Sequence, residues 1–236
     1  MKVLLSFFLL AGVFSSLYAA EDSVYDFEWM DADKEIYVLQ NRKYRKASSV
    51  SFSAMAGKNI SSKFIDQNIG SFRLGYYFSE DWGLEFNYSL SFNQSENNTA
   101  AGVLEQGAVP FYRRIDEYKS ISVLYSPFYG KFNTFNKIYY VDWYFSAGIA
   151  SIDTSDNRNR FAVSNDSSLT QASQGGAVWG TGLLFHLSQS WSIRFEFNGI
   201  HFQTDRFRED RNSSEQFSSK QWFHNYDMSL GINFRI

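Results

Sequence analysis

Any chemistry this chain performs must start from a short inventory: three histidines, no cysteine, and arginines and carboxylates set singly among apolar residues. His186, His201 and His224 are isolated along the chain, with no HxH or HxxxH spacing, so no metal site is expected. Zero cysteine removes disulfides, thiolate metal sites and thiol nucleophiles. The most suggestive hydrolytic grouping is His201 with Ser213, Ser214, Glu209 and Glu215 in the stretch that follows. Catalysis needs a hydroxyl within hydrogen-bond reach of its base, and nothing in that stretch holds one there. The expectation is therefore no catalytic residue, no cofactor and no metal.

A second group is more regular. Arg73, Glu85, Asp142, His186, Arg194, Glu196 and Asp227 each lie between two apolar residues in a stretch that alternates. From Trp82 to Asn93, for example, Trp82, Leu84, Phe86, Tyr88, Leu90 and Phe92 share one face, and Gly83, Glu85, Asn87, Ser89, Ser91 and Asn93 the other. Period two is the signature of a β-strand with one apolar and one polar side. Such a length matches the roughly 9–11 residues that a tilted strand needs to cross a bilayer.

Eight strands of this kind can be drawn, near 48–58, 68–78, 82–93, 118–126, 138–151, 176–187, 191–203 and 223–236. The connections Ser79–Asp81 and Ser188–Ser190 are tight, and Pro127–Lys137 is of medium length. The stretches 59–67, 94–117, 152–175 and 204–222 are longer and polar. Short turns on one rim and long loops on the other predict an all-β fold: an eight-stranded antiparallel transmembrane β-barrel with short periplasmic turns and longer extracellular loops. A soluble barrel would turn its aromatics inward and carry Lys and Glu outside, whereas the polar faces here hold Ser, Asn and Gly with scattered charge. Eight strands enclose a space that side chains can fill, so the seven ionisable residues are expected to pair inside as a plug. A narrow pore is the alternative.

The first residues have a secretory pattern: Lys2, an apolar run Val3–Phe14, then Ala19 and Ala20 at a small-residue cleavage site. The expected organisation is a signal peptide over 1–20, a periplasmic arm over 21–47 and the barrel over 48–236. The arm ends in a basic run whose Arg42, Lys43, Arg45 and Lys46 suit anionic headgroups or a protein partner, or form a solvated linker. Loop arginines (Arg158, Arg160, Arg206, Arg208, Arg211) stand among acids (Asp153, Asp156, Asp205, Glu209, Asp210) and read either as a lipopolysaccharide contact or as solvated charge. A net charge of −3 argues against a nucleic-acid partner.

The segments Val38–Ala47 and Tyr125-Ser126-Pro127-Phe128-Tyr129-Gly130-Lys131-Phe132 resemble a family of exported outer membrane β-barrel domain proteins of predatory and gliding bacteria. The likeness runs from about Ile36 to the C-terminus and includes Tyr76–Trp82, Asp142–Gly148 and Leu230–Phe234. It implies an outer-membrane barrel, in some members tied to gliding-motility envelope complexes, and no catalytic residue. In lipid A deacylase barrels a Ser stands two residues after the His; here that place is Gln203. The resulting expectation is a non-enzymatic barrel with a structural or interaction role in the envelope. Its partners are outer-membrane lipid, lipopolysaccharide and possible envelope proteins. The alternatives are a narrow channel and, further off, a lipid A-modifying enzyme.

Overall fold

The apolar faces of the alternating segments converge on the outside of a closed ring. The computed structural model describes residues 42–134, 137–161, 168–207 and 217–236, without the side chains of 206–207 and 217–219. The signal segment, most of the arm and the stretch holding Arg208, Glu209, Asp210, Arg211, Ser213, Ser214 and Glu215 lie outside these residues. Eight strands follow in chain order: β1 (Ser49–Asn59), β2 (Ile65–Tyr77), β3 (Trp82–Glu96), β4 (Arg113–Thr134), β5 (Lys137–Asp156), β6 (Thr170–His186), β7 (Trp191–Phe207) and β8 (Phe217–Arg235). Each pairs antiparallel with its neighbours, and β8 closes on β1 from Ser51↔Arg235 to Asn59↔Asp227. The eight-stranded antiparallel barrel expected from the alternation is the observed fold.

The inversion of inside and outside is explicit. Phe72, Leu74, Phe86, Leu90, Ile121, Ile149, Leu230 and Ile232 are exposed on the outer surface, while Ser51, Ser53, Ser89, Ser122, Ser192 and Asn233 are buried within. A chain that leaves such residues uncovered needs an apolar medium around it. Trp82 and Trp191 open β3 and β7 at the tight turns, and both are exposed. The two turns share one device. Trp82 N–H donates to the Ser79 hydroxyl at 3.0 Å, and Trp191 N–H to the Ser188 hydroxyl at 3.1 Å. A serine three residues ahead of a tryptophan thus fixes each turn and sets an amphipathic ring at its level.

Three expectations about the connections are corrected. Pro127–Lys137 is not a loop: β4 and β5 stay paired from Phe128↔Trp143 down to Thr134↔Lys137, beyond the last β3 partner, Trp82↔Tyr125. Pro127 sits where the register slips between Tyr125 and Phe128, the bulge position that tolerates a residue without an N–H. The loops at 152–175 and 204–222 are shorter than expected, because β5 runs to Asp156, β6 starts at Thr170, β7 reaches Phe207 and β8 starts at Phe217. At the tip of the β4–β5 hairpin both faces are exposed, and at the loop end of β5 Thr154, Ser155 and Asp156 are all buried, so in both places the ladder continues after the period-two signal has gone. Finally, 94–117 holds a helix, α1 (Asn98–Glu105), capped by the Asn97 side chain, which accepts from Thr99 and Ala100 N–H at 3.0 and 3.1 Å.

Candidate functional site

Inward positions on five strands build one ion network across the middle of the barrel. Arg194 on β7 reaches Glu85 on β3 with Nη1 at 2.5 Å and Nη2 at 2.9 Å, and donates from Nε to Glu196 at 2.9 Å. Arg73 on β2 bridges the same two carboxylates, at 3.0 Å to Glu85 and 2.6 Å to Glu196. Two cations and two anions therefore alternate, and their charges cancel. Tyr144 on β5 donates to Glu196 at 2.5 Å, with the Arg194 guanidinium 4.7 Å from its ring centre. Gly182 on β6 leaves the room that this tyrosine occupies. Ser53 on β1 receives Arg194 Nη1 at 3.3 Å. Arg194 and Glu196 are 1% and 0% exposed.

Asp142 and His186 do not join that network; they form a second group near the tight turns. His186 Nε2 lies 3.1 Å from Asp142 Oδ2, and His186 Nδ1 lies 2.9 Å from Ser192 Oγ. Asp142 accepts from Nε2, and in the neutral ring that tautomer leaves Nδ1 to accept from the serine. This is a Ser–His–Asp chain that sequence spacing did not disclose, since its members come from β5, β6 and β7. Its geometry is enclosed: Ser192 is 2% exposed, the Tyr44 ring stacks on His186 at 5.1 Å, and Lys46 holds Asp142 at 2.8 Å.

The basic run supplies the closure, and here the sequence reading of Lys46 as an exposed contact is corrected. Lys46 is buried beneath the barrel, bonded to Asp142 and to the Ser126 hydroxyl at 2.7 Å, with the Tyr77 ring 5.6 Å away. Burial pushes its ammonium below the ordinary lysine value, against the attraction of Asp142. The reason lies in the β2–β3 turn. Glu80 accepts the backbone N–H groups of Lys46 and Ala47 at 3.0 and 3.3 Å, and Asp81 pairs with Arg42 at 2.8 Å. An acidic turn thus draws the run against the barrel. Only Lys43 and Arg45 of the four basic residues remain exposed, Lys43 lying over the Tyr44 and Tyr140 rings.

Asp227 stands apart from both groups, bonded to Asn198 at 2.8 Å, its other oxygen without a partner among the described residues. Beyond it toward the long loops the filling turns apolar. Ile115, Tyr118, Ala150, Ile152, Val178, Ile200 and Phe202 pack together, with Phe223 against them. Period-two counting marks these positions as inward, but polarity alone did not mark them as filling. Of the loop charges, Asp156 takes both Arg158, at 2.6 Å, and Arg113, at 2.9 Å, while Arg160 pairs with Glu96 at 2.6 Å. His201 and His224, distant in sequence, are neighbours in space: their Nδ1 atoms are 2.6 Å apart, and Trp179 donates to His201 Nε2 at 2.7 Å. Gly199 makes this possible, since a Cβ there would come within 2.5 Å of the Trp179 ring. The described residues hold no cluster of three metal-ligating side chains.

The chain matches the family model described as outer membrane protein beta-barrel domain over residues 8–235. No curated protein matches it. Among solved structures it is similar to the N-terminal β-barrel domain of Pseudomonas aeruginosa OprF, with 13% identity, 80% of this chain and 98% of that one covered, and a TM-score of 0.49. Neisserial surface protein A gives 11%, 80%, 97% and 0.47, and OprG from Pseudomonas aeruginosa gives 10%, 81%, 97% and 0.47. Overlaps this loose carry no argument about function.

Proposed function

This chain belongs to the outer membrane protein beta-barrel domain family, and from that premise we propose that it is a plugged, non-catalytic barrel with a structural or interaction role in the cell envelope. Its place is the bacterial outer membrane, reached through a cleaved signal peptide, with lipopolysaccharide and phospholipid as its surroundings. One observation supports this reading above the others. The bore is filled at three levels, by Lys46 with Asp142, by the Arg73–Glu85–Arg194–Glu196 network and by the apolar layer. An eight-stranded barrel so filled has no continuous water path, and an ion crossing it would have to displace buried, paired charges. The exposed Lys43 and Arg45 and the projecting β4–β5 hairpin are then the parts left for envelope partners on the turn side.

The test is conductance. Purified full-length protein in planar bilayers is expected to give no unitary current steps, and Lys46→Ala none either, because the network above it still closes the bore. Regular ohmic steps from the wild-type protein would replace the plug with the narrow-channel reading.

A further inference from the structure

On the loop side, the wall of the barrel is incomplete. The pairing of β1 with β8 ends at Asn59↔Asp227; past it Ile60 N–H donates to the Tyr226 carbonyl at 3.0 Å, Tyr226 N–H to the Ser61 hydroxyl at 2.9 Å, and Asn59 and Ser61 to the Asn225 side chain at 2.8 Å each. β8 continues past this point paired to β7 alone. A cavity of about 200 Å³ occupies the gap, between the β1–β2 connection, the start of β4 and the upper parts of β7 and β8. We propose that this cavity binds a small amphiphile: an apolar, preferably aromatic, body carrying one acid group, carboxylate or phosphate.

Three features select that chemistry. The apolar side of the cavity is aromatic, with Phe202 and Phe223 stacked at 5.9 Å and an interplanar angle of 17°. Its charged lining is one-sided: Lys63, Arg113 and Arg114 border it and no acidic side chain does, although Arg114 is paired with Asp116 at 3.1 Å. Two of these cations have capacity to spare. Arg113 uses Nε and Nη2 on Asp156 and the Asp205 carbonyl, lies 4.6 Å over the Phe223 ring, and keeps Nη1 buried without a partner among the described residues. The exposed Lys63 ammonium rests 5.2 Å over Phe64, with no carboxylate paired to it among the described residues. A buried guanidinium nitrogen left unbonded is costly, and an acid oxygen arriving beside Phe223 relieves it. The volume is below the roughly 300–1,000 Å³ of drug-sized sites, so the ligand is small or is the end group of something larger.

The inference holds whether or not the lumen conducts. Its test uses the folded full-length protein in detergent micelles, with 4-fluorobenzoate as probe and ¹⁹F NMR as readout. Saturable binding is expected, with fluorobenzene about tenfold weaker for want of the acid. Arg113→Gln should weaken binding by about tenfold as well. Because Arg113 also ties Asp156, a second variant keeps the result readable. Ser62→Trp fills the cavity from its wall, removes no charge and should abolish binding while the circular dichroism spectrum of the folded protein stays that of the wild type. Competition separates two sources of the same chemistry: displacement by acetate and salicylate alone marks a free solute, and displacement by decanoate too admits a single-chain lipid. Absence of saturation in the wild-type protein, equal binding of fluorobenzene, or binding unchanged by Ser62→Trp would overturn the proposal.

Discussion

The two halves of the barrel interior are filled by opposite means. Toward the tight turns the bore holds ions, each placed against a counter-ion: Lys46 with Asp142, Arg73 and Arg194 with Glu85 and Glu196. Toward the long loops it holds Ile152, Ile200, Phe202 and their neighbours, as an ordinary core would. Both halves pack the bore, but they answer differently to damage. In the ionic half a lost partner strands a charge whose burial was tolerable only while paired. In the apolar half a lost methyl group leaves a cavity, and the cost scales with its volume. The ionic half thus specifies position: Arg194 meets Glu85 across the bore only in one register of β3 and β7. A slip by one residue would turn the whole inward set to lipid.

The largest expected effect comes from breaking the ionic half. Arg194→Met leaves Glu85 and Glu196 with Arg73 as their remaining cation, and should destabilise the barrel by about 3–5 kcal/mol in urea unfolding from lipid vesicles. The double variant Arg194→Met with Glu196→Gln restores the charge balance and should recover a large part of that loss. If the double variant were no better than the single one, charge matching would not be what holds this layer. A smaller effect is expected from the apolar half, where Ile200→Val removes one methyl group from a residue 1% exposed and should cost about 0.5–1.5 kcal/mol. An equal cost for Ile200→Val and Arg194→Met would erase the distinction between the halves.

The same contrast explains what was legible in the sequence. Wherever a strand separates lipid from a polar interior, the period-two pattern is clean, and the eight strands and their outward faces could be drawn from it. At the loop end the inward residues are themselves apolar (Ile200, Phe202, Val178), so inside and outside look alike in polarity and only counting tells them apart. Past the apolar medium the pattern vanishes although pairing goes on, which is why Pro127–Lys137 looked like a connection. Arg73, Glu85, Arg194 and Glu196 could be assigned to the interior by parity. Their division from Asp142 and His186 could not, because it depends on the height that register gives each strand. Lys46 lies before β1, where no period applies. The only hint of its burial was the acidic pair Glu80–Asp81 in a turn far along the chain.

The smallest expected effect concerns the chain Ser192–His186–Asp142, which tests whether the ionic half is filling alone. A nucleophile needs a base, an open approach and donors for the developing oxyanion. The base is in place, since His186 Nδ1 faces the hydroxyl at 2.9 Å. The approach is not, because Tyr44 stacks on the imidazole and the arm lies beneath it. Lys46 also competes with the histidine for Asp142, so the carboxylate that would steady an imidazolium is already neutralised. A fluorophosphonate probe should therefore leave Ser192 unlabelled in folded protein. Labelling of folded protein that Ser192→Ala abolishes would show the hydroxyl to be both reachable and activated. The arm would then be a cover over a working site, and the ionic half could no longer be described as packing.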